Sequence, residues 1–121
     1  PETYGAEDHR KAFHGFLRFI KANLSGQTSI RTDGHWATQS LTLTNMGEFA
    51  LPDLIVREHE METYLPALAM QAGNDAPVDP VPAAKDVPFT LSDIYDDTME
   101  HLCRDAYGRD YTMFGYQDWS E

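Results

Sequence analysis

The chain has 121 residues, of which 41% are hydrophobic and 12% aromatic, and this composition excludes a disordered polymer and indicates a globular domain. The formal net charge of −11 excludes nucleic-acid binding through general electrostatic attraction. No apolar run reaches membrane-spanning length and no signal peptide is visible, so no membrane segment is expected. Cys103 is the only cysteine, which fits a reducing compartment, and we expect a cytoplasmic location.

The first predicted element is a helix from Ala6 to Leu24. Its acidic start, at Glu7 and Asp8, and the basic Lys21 near its end suit the helix dipole. Apolar residues recur in it at spacings of three and four, which predicts one buried face. They are Phe13, Phe16, Leu17, Ile20 and Leu24.

Two short strands are predicted next. Asp33-Gly34 predicts a tight turn, and the residues from Ser40 to Thr44 then alternate polar and apolar as a strand does. Leu54–Val56 is a compact apolar run, rich in branched side chains, and predicts a buried strand.

A second helix is predicted to begin at an N-cap on Thr63, because Pro66 is tolerated only in a first turn, and to end at Gly73. Residues 73–89 contain four prolines and are predicted to form an internal linker.

The last predicted helix is Leu91–Tyr107, which has an apolar stripe on one face and mainly acidic residues on the other. Thr90 and Asp93 form its capping pair, and Gly108 is predicted to end it. The predicted fold class is therefore mainly α with one or two short strands. Residues 1–121 are interpreted as a single domain or as the C-terminal fragment of a larger one whose sheet lies elsewhere.

The densest group of polar and aromatic residues surrounds the predicted Asp33-Gly34 turn. An aromatic ring beside a guanidinium suits a sugar or a nucleotide, because the ring offers an apolar face and the polar groups bind hydroxyls or phosphate. The alternative is a turn anchored by a buried tryptophan. The residues concerned are Arg31, Asp33, His35, Trp36 and Gln39.

A second polar group follows the predicted Leu54–Val56 strand. If that strand continued, Glu58 and Glu60 would lie on one side and could bind a cation; the alternative is a solvated strand end. No metal-binding motif is present, and no metal is predicted. The group consists of Asp53, Arg57, Glu58, His59 and Glu60.

Three segments of the sequence occur in a recognisable order. They are Asp-Gly-His-Trp-x-x-Gln with His35, Trp36 and Gln39; Pro-Asp-Leu-Ile-Val-Arg with Asp53, Ile55 and Arg57; and Tyr-x-x-Asp-Tyr-x-x-Phe-Gly-Tyr with Tyr107, Asp110, Tyr111, Phe114, Gly115 and Tyr116. This order resembles the C-terminal half of the Golgi-type carbohydrate sulfotransferases and their bacterial relatives, over about residues 13–116.

The resemblance implies a parent enzyme that moves a sulfuryl group from 3′-phosphoadenosine-5′-phosphosulfate to a hydroxyl of a carbohydrate or other small-molecule acceptor. It also implies an α/β fold with a P-loop-like parallel sheet for the complete enzyme. In that family two N-terminal segments hold the donor, and neither occurs in these residues. The chain alone is therefore expected to bind no cofactor and to be inactive.

Within this interpretation His35 is the candidate catalytic residue, because a neutral histidine can accept the proton of the acceptor hydroxyl. Arg31 suits an anionic sulfate or phosphate. The candidate substrate-binding or donor-binding residues are Arg31, Trp36, Gln39 and Arg57.

A second interpretation is a stand-alone helical binding module whose acidic C-terminal helix meets a basic partner. Residues 86–121 carry nine acidic groups against Arg104 and Arg109, which supports such a surface.

A sheet that lacks its other strands would expose an apolar edge, so either a homo-oligomer or contact with a missing N-terminal part is expected.

Overall fold

The computed structural model describes residues 3–82 and 86–120 of the chain. Most of these residues are helical and the described part of the chain has no β-strand, which confirms the predicted mainly α class. They form two compact units, Pro1–Phe49 with Pro88–Glu121, and Ala50–Val87. The elements in chain order are α1 (Ala6–Leu24), α2 (Gln39–Gly47), a 3₁₀ turn (Glu58–Glu60), α3 (Met61–Gln71), α4 (Leu91–Ile94), α5 (Asp97–Ala106) and α6 (Gly108–Phe114).

Helix α1 has the predicted bounds, and its apolar face forms the core of the first unit. Leu17 and Ile20 are each 3% exposed, and both pack with Met99 of α5, which is 1% exposed. Burial of each such side chain stabilises a fold by about 1.5–3 kcal/mol. The three-and-four spacing of α1 therefore identifies the buried face except at Phe16, which is 43% exposed.

Ion pairs border the contact between α1 and α5. The Arg10 guanidinium pairs with Asp96 at the start of α5, and Lys21 Nζ lies 3.1 Å from Asp105 Oδ2 near its end. Because the order of the partners is the same in both helices, α1 and α5 run in the same direction. These pairs are largely solvent-exposed, so they orient the helices more than they stabilise them.

The predicted continuous helix over Leu91–Tyr107 is wrong, because the chain is extended at Tyr95 and Asp96. The Asp96 carboxylate accepts a hydrogen bond from the backbone N–H of Met99 at 2.9 Å and so caps a new helix, α5. A short acidic side chain competes well with the helical backbone for that N–H, and the apolar stripe alone gives no sign of this.

The ends of these helices follow the sequence in part. Asp93 accepts hydrogen bonds from the backbone N–H and hydroxyl of Thr90, at 2.7 and 2.8 Å, which confirms the predicted capping pair. The prediction for Gly108 is wrong, because α5 ends at Ala106 and Gly108 begins α6. Helix α6 ends instead at Gly115, whose φ of 65° is the left-handed conformation that favours glycine.

Both predicted strands are wrong. The Ser40–Thr44 segment lies inside α2, whose start is capped by the Thr38 hydroxyl oxygen accepting from the Leu41 N–H at 3.3 Å. An alternation over only five residues is too short to separate a strand from a helix. Leu54–Val56 has no regular structure, and no described strand is present to pair with its backbone groups.

In the second unit α3 begins at Met61 rather than after Thr63, so the predicted N-cap is wrong and Pro66 lies inside the helix. The 3₁₀ turn leads directly into α3. Because proline has no backbone N–H, the helix loses the hydrogen bond from residue 66 to the carbonyl of residue 62. The end of the helix is as predicted: Gly73 has a φ of 85°, and Asn74 N–H reaches back to the Ala69 carbonyl at 2.8 Å.

The second unit has little core of its own. None of its described residues is buried, and residues 74–82 and 86–87 contain no helix or strand. Part of the predicted linker, residues 83–85, lies outside the described residues. The role of residues 73–89 as a linker, and the assignment of the chain as one domain or a fragment, stay predictions.

Candidate functional site

The loop after α1 is held by a buried amide. Asn23 is 4% exposed, and its Nδ2 donates to Thr28 Oγ1 at 3.0 Å and to the Ile30 carbonyl at 2.7 Å. Its Oδ1 accepts from Thr32 Oγ1 and from the Trp36 indole N–H, both at 2.9 Å. An amide has two donor hydrogens and two acceptor lone pairs, so all its hydrogen-bonding positions are used. Asn23 therefore fixes the path of the loop that carries the predicted site.

The turn at Asp33 presents His35 to solvent. Asp33 Oδ1 accepts from the backbone N–H of His35 at 2.8 Å and lies 2.5 Å from its ring Nδ1. These hydrogen bonds, the backbone one first, hold the pKa of the Asp33 carboxyl below its usual value. The imidazole is 93% exposed, so Nε2 is left to face solvent when Nδ1 donates to the carboxylate. An imidazole held in this way can accept a proton at Nε2.

Trp36 has the contacts of an anchor. Its ring meets Phe16 and Phe19 edge-on, with centroid separations of 6.3 and 5.9 Å, and it packs on the core. Its indole N–H is taken by Asn23. These contacts match the alternative interpretation of a turn anchored by a tryptophan, and a binding role for Trp36 stays a prediction.

The first and last of the three recognisable segments are joined by hydrogen bonds. The Asp110 carboxylate accepts from the backbone N–H groups of Gln39 and Ser40, both at 2.8 Å, at the start of α2. Tyr107 Oη donates to the Trp36 carbonyl at 2.7 Å, and Tyr116 Oη donates to Gln39 Oε1 at 2.6 Å. A carboxylate at a helix N-terminus satisfies two unpaired donors and the helix dipole together. We call this set of bonds the Asp110 cap.

A further set of polar contacts surrounds Glu100 of α5. Glu100 is 8% exposed and accepts from Tyr95 Oη at 2.5 Å and from Tyr111 Oη at 2.9 Å. Burial, and then hydrogen bonding, raises the pKa of both tyrosine hydroxyls. Burial also raises the pKa of the half-buried Cys103 thiol. A raised thiol pKa is typical of a packed side chain rather than of a nucleophile.

The other residues predicted from the sequence take no part in the hydrogen bonds described above. The Arg31 side chain is exposed, with no partner among the described residues. Arg57 belongs to the second unit, where its backbone N–H donates to Glu60 Oε2 at 3.1 Å. Glu58 and Glu60 lie in a 3₁₀ turn, so the same-side arrangement expected of a strand is wrong.

Sequence reasoning missed Asn23, Asp110 and Glu100 as organising residues. Asn23 lies three residues after Ile20 on the apolar face of α1, and a polar residue in that position is a signal of a buried hydrogen-bond network. Asp110 was marked only as part of a resembling segment. Its two partners are 71 and 70 residues away, and no local pattern reveals such contacts.

Comparisons with protein-family models, with curated proteins and with solved structures found no match to this chain. Among residues 3–82 and 86–120, no group of three or more histidine, cysteine and acidic side chains is arranged to hold a metal ion. No helix in the described part of the chain is long and apolar enough to cross a membrane.

Proposed function

We propose that this chain is the C-terminal portion of a carbohydrate-type sulfotransferase, inactive until the donor-binding segments of the parent enzyme complete it. The observation that supports this most is the Asp110 cap, because it joins two segments that the resemblance selected independently of any structure. The cap holds the start of α2 and the Asp33 turn in one piece, so His35 projects from a fixed support. Functional side chains on loops commonly depend on such a support.

In the proposed reaction His35 acts as general base. With Nδ1 held by Asp33, Nε2 accepts the proton of the acceptor hydroxyl while the hydroxyl oxygen bonds to sulfur. The bond between sulfur and the phosphate oxygen of the donor breaks, and adenosine 3′,5′-bisphosphate leaves. Arg31 and Arg57 are proposed to bind anionic groups of donor or acceptor, and Trp36 and Gln39 to border the acceptor. A cytoplasmic location is part of the proposal, and a reducing compartment fits the single cysteine.

The test is a sulfate-transfer assay on the chain joined to donor-binding segments, with carbohydrate acceptors. We expect His35→Ala to lower turnover by about 10²–10⁴-fold at an unchanged melting temperature, as loss of a general base does. His101→Ala is the matched control, since that imidazole is also exposed and, within the described residues, hydrogen-bonds to a backbone carbonyl instead of a carboxylate. Unchanged turnover in His35→Ala, or no transfer by the joined protein, would reject the proposal.

The second candidate function is a stand-alone interaction module, and the uncovered second unit favours it. Tyr64 and Leu68 lie one turn apart on α3 and are 40% and 38% exposed, so one face of this helix leaves apolar surface in water. A partner or a second copy would cover this face. The transfer assay separates the two: sulfuryl transfer by the chain joined to donor-binding segments favours the first candidate, whereas a stable oligomer that shows no transfer in that assay favours this one.

A further inference from the structure

A cleft lies along α5, and none of the predicted site residues lines it. Its volume of about 380 Å³ falls within the range of pockets that hold small ligands, about 300–1,000 Å³. The walls come from the segment around α5 and from the C-terminal residues Asp118, Trp119 and Ser120. All lining residues belong to the first unit, so the cleft is defined by that unit alone.

Two aromatic rings meet at an angle in this cleft. The Tyr95 and Trp119 rings have centroids 5.1 Å apart and planes at 62°, and Trp119 is 37% exposed. Aromatic faces carry partial negative charge and attract cations, tryptophan most strongly. The edge-to-face contact also fixes Trp119 in place, although it lies in a segment without helix or strand.

The charges around the rings favour a cation. The lining includes four carboxylates, from Asp96, Asp97, Glu100 and Asp118, against the Arg104 guanidinium and the His101 imidazole. An anionic ligand would therefore be repelled, whereas a cation gains Coulomb attraction from any carboxylate that has no partner.

Most of these groups already have partners. Asp96 and Asp118 each pair with an arginine, and Glu100 accepts from two tyrosines. The carboxylate of Asp97 is exposed at the start of α5, and no described residue donates to it or pairs with it. Asp97 is therefore the carboxylate that is left to meet a ligand charge.

The protein already uses the same chemistry beside the cleft. The Arg104 guanidinium lies 4.4 Å from the centroid of the Tyr111 ring and is paired with Asp118. This surface therefore already places a cation between an aromatic face and a carboxylate. Because Asp118 neutralises Arg104, the guanidinium does not cancel the attraction of the cleft for a second cation.

We propose that this cleft binds a small organic cation with an ammonium head group, which the Tyr95 and Trp119 rings and the Asp97 carboxylate would hold. The proposal is independent of sulfuryl transfer, since it uses none of the residues assigned to that reaction. A neutral sugar would also stack on the rings, but it would gain nothing from the negative charge of the lining.

The test is calorimetric titration of the 121-residue chain with choline and with its uncharged isostere 3,3-dimethyl-1-butanol. We expect saturable binding of choline and at least about tenfold weaker binding of the isostere, because only the cation gains the charge and cation–π terms. Choline should also shift the emission of Trp119, and Trp119→Phe should remove that shift while Trp36 still reports folding.

Two variants and one control locate the site. Trp119→Leu should weaken choline binding by roughly 5- to 30-fold, the loss expected for a partly desolvated cation–π contact. Asp97→Asn should weaken it by several-fold, and Asp105→Asn, which removes the same charge from α5 outside the cleft, should leave it unchanged. Equal binding of the isostere or of a neutral monosaccharide, no saturable heat, or wild-type affinity in both variants would overturn the proposal.

Discussion

At the scale of single residues, Asn23 shows how much one buried amide can determine. We expect Asn23→Ala to lower the free energy of unfolding by about 1–3 kcal/mol, because the indole N–H of Trp36 and the Ile30 carbonyl lose a part-buried hydrogen bond. Urea unfolding measures this loss. Asn74→Ala is the control, since that exposed amide accepts only one hydrogen bond, from the Ala76 N–H. Equal midpoints for the two variants would contradict the assigned role of Asn23.

The residues of the candidate site were predictable to different degrees. The turn at Asp33 follows from its own side chain, so the sequence locates it, and the exposure of His35 follows from the turn. That Trp36 anchors the loop was open until its contacts were known, because an aromatic residue in a polar segment suits both stacking on a ligand and packing on a core. The choice depends on Phe16, Phe19 and Asn23, all on a helix that precedes the loop.

At the scale of helices, two glycines with opposite roles test the assigned ends. Gly15 lies inside α1 with open space around it, so Gly15→Ala should stabilise the protein by about 0.5–1 kcal/mol. Gly115 ends α6 with a φ of 65°, so Gly115→Ala should destabilise it by about 1–2 kcal/mol. Thermal melting of the pair gives both signs in one experiment. A Gly115→Ala variant as stable as the wild type would show that α6 does not end there.

Elements were predictable where one pattern acts alone. Helix α1 combines a long apolar stripe with charges suited to both ends, and no other signal competes. The prediction of one continuous last helix failed because the Asp96 cap interrupts the helix, whereas the apolar stripe in the sequence continues on both sides of the break. Helix α2 was mistaken for a strand because its start is fixed by Asp110, which comes from a distant part of the chain.

At the scale of the whole molecule, ionisable groups couple folding to pH at both ends of the range. Hydrogen bonds to the carboxylates lower the pKa of three aspartates, and burial raises the pKa of several phenols and of the thiol. The carboxylates are Asp33, Asp93 and Asp96, and the others are Tyr95, Tyr107, Tyr111 and Cys103. The two sets act in opposite directions, so stability is expected to be highest between them.

The direction at each end follows from linkage. A lowered carboxyl pKa stabilises the fold above the unfolded value of about 3.9, and this is lost as the pH falls through the folded pKa. A raised phenol or thiol pKa stabilises it below the unfolded values of about 10 and about 8.5, and this is lost as the pH rises towards the folded pKa. Urea midpoints should therefore be nearly constant from about pH 5 to about pH 8 and fall on both sides.

Two variants assign the two declines to particular groups. Asp96 caps α5 and pairs with Arg10, so Asp96→Asn should make the acid decline shallower and leave the alkaline one unchanged. Tyr107 donates to the Trp36 carbonyl and burial raises the pKa of its phenol, so Tyr107→Phe should act on the alkaline decline alone. Because each variant alters the decline at only one end of the pH range, each is the control for the other. If both declines kept the wild-type slope in both variants, the coupling of folding to pH would lie in other groups, and the polar contacts of α5 would not be its source.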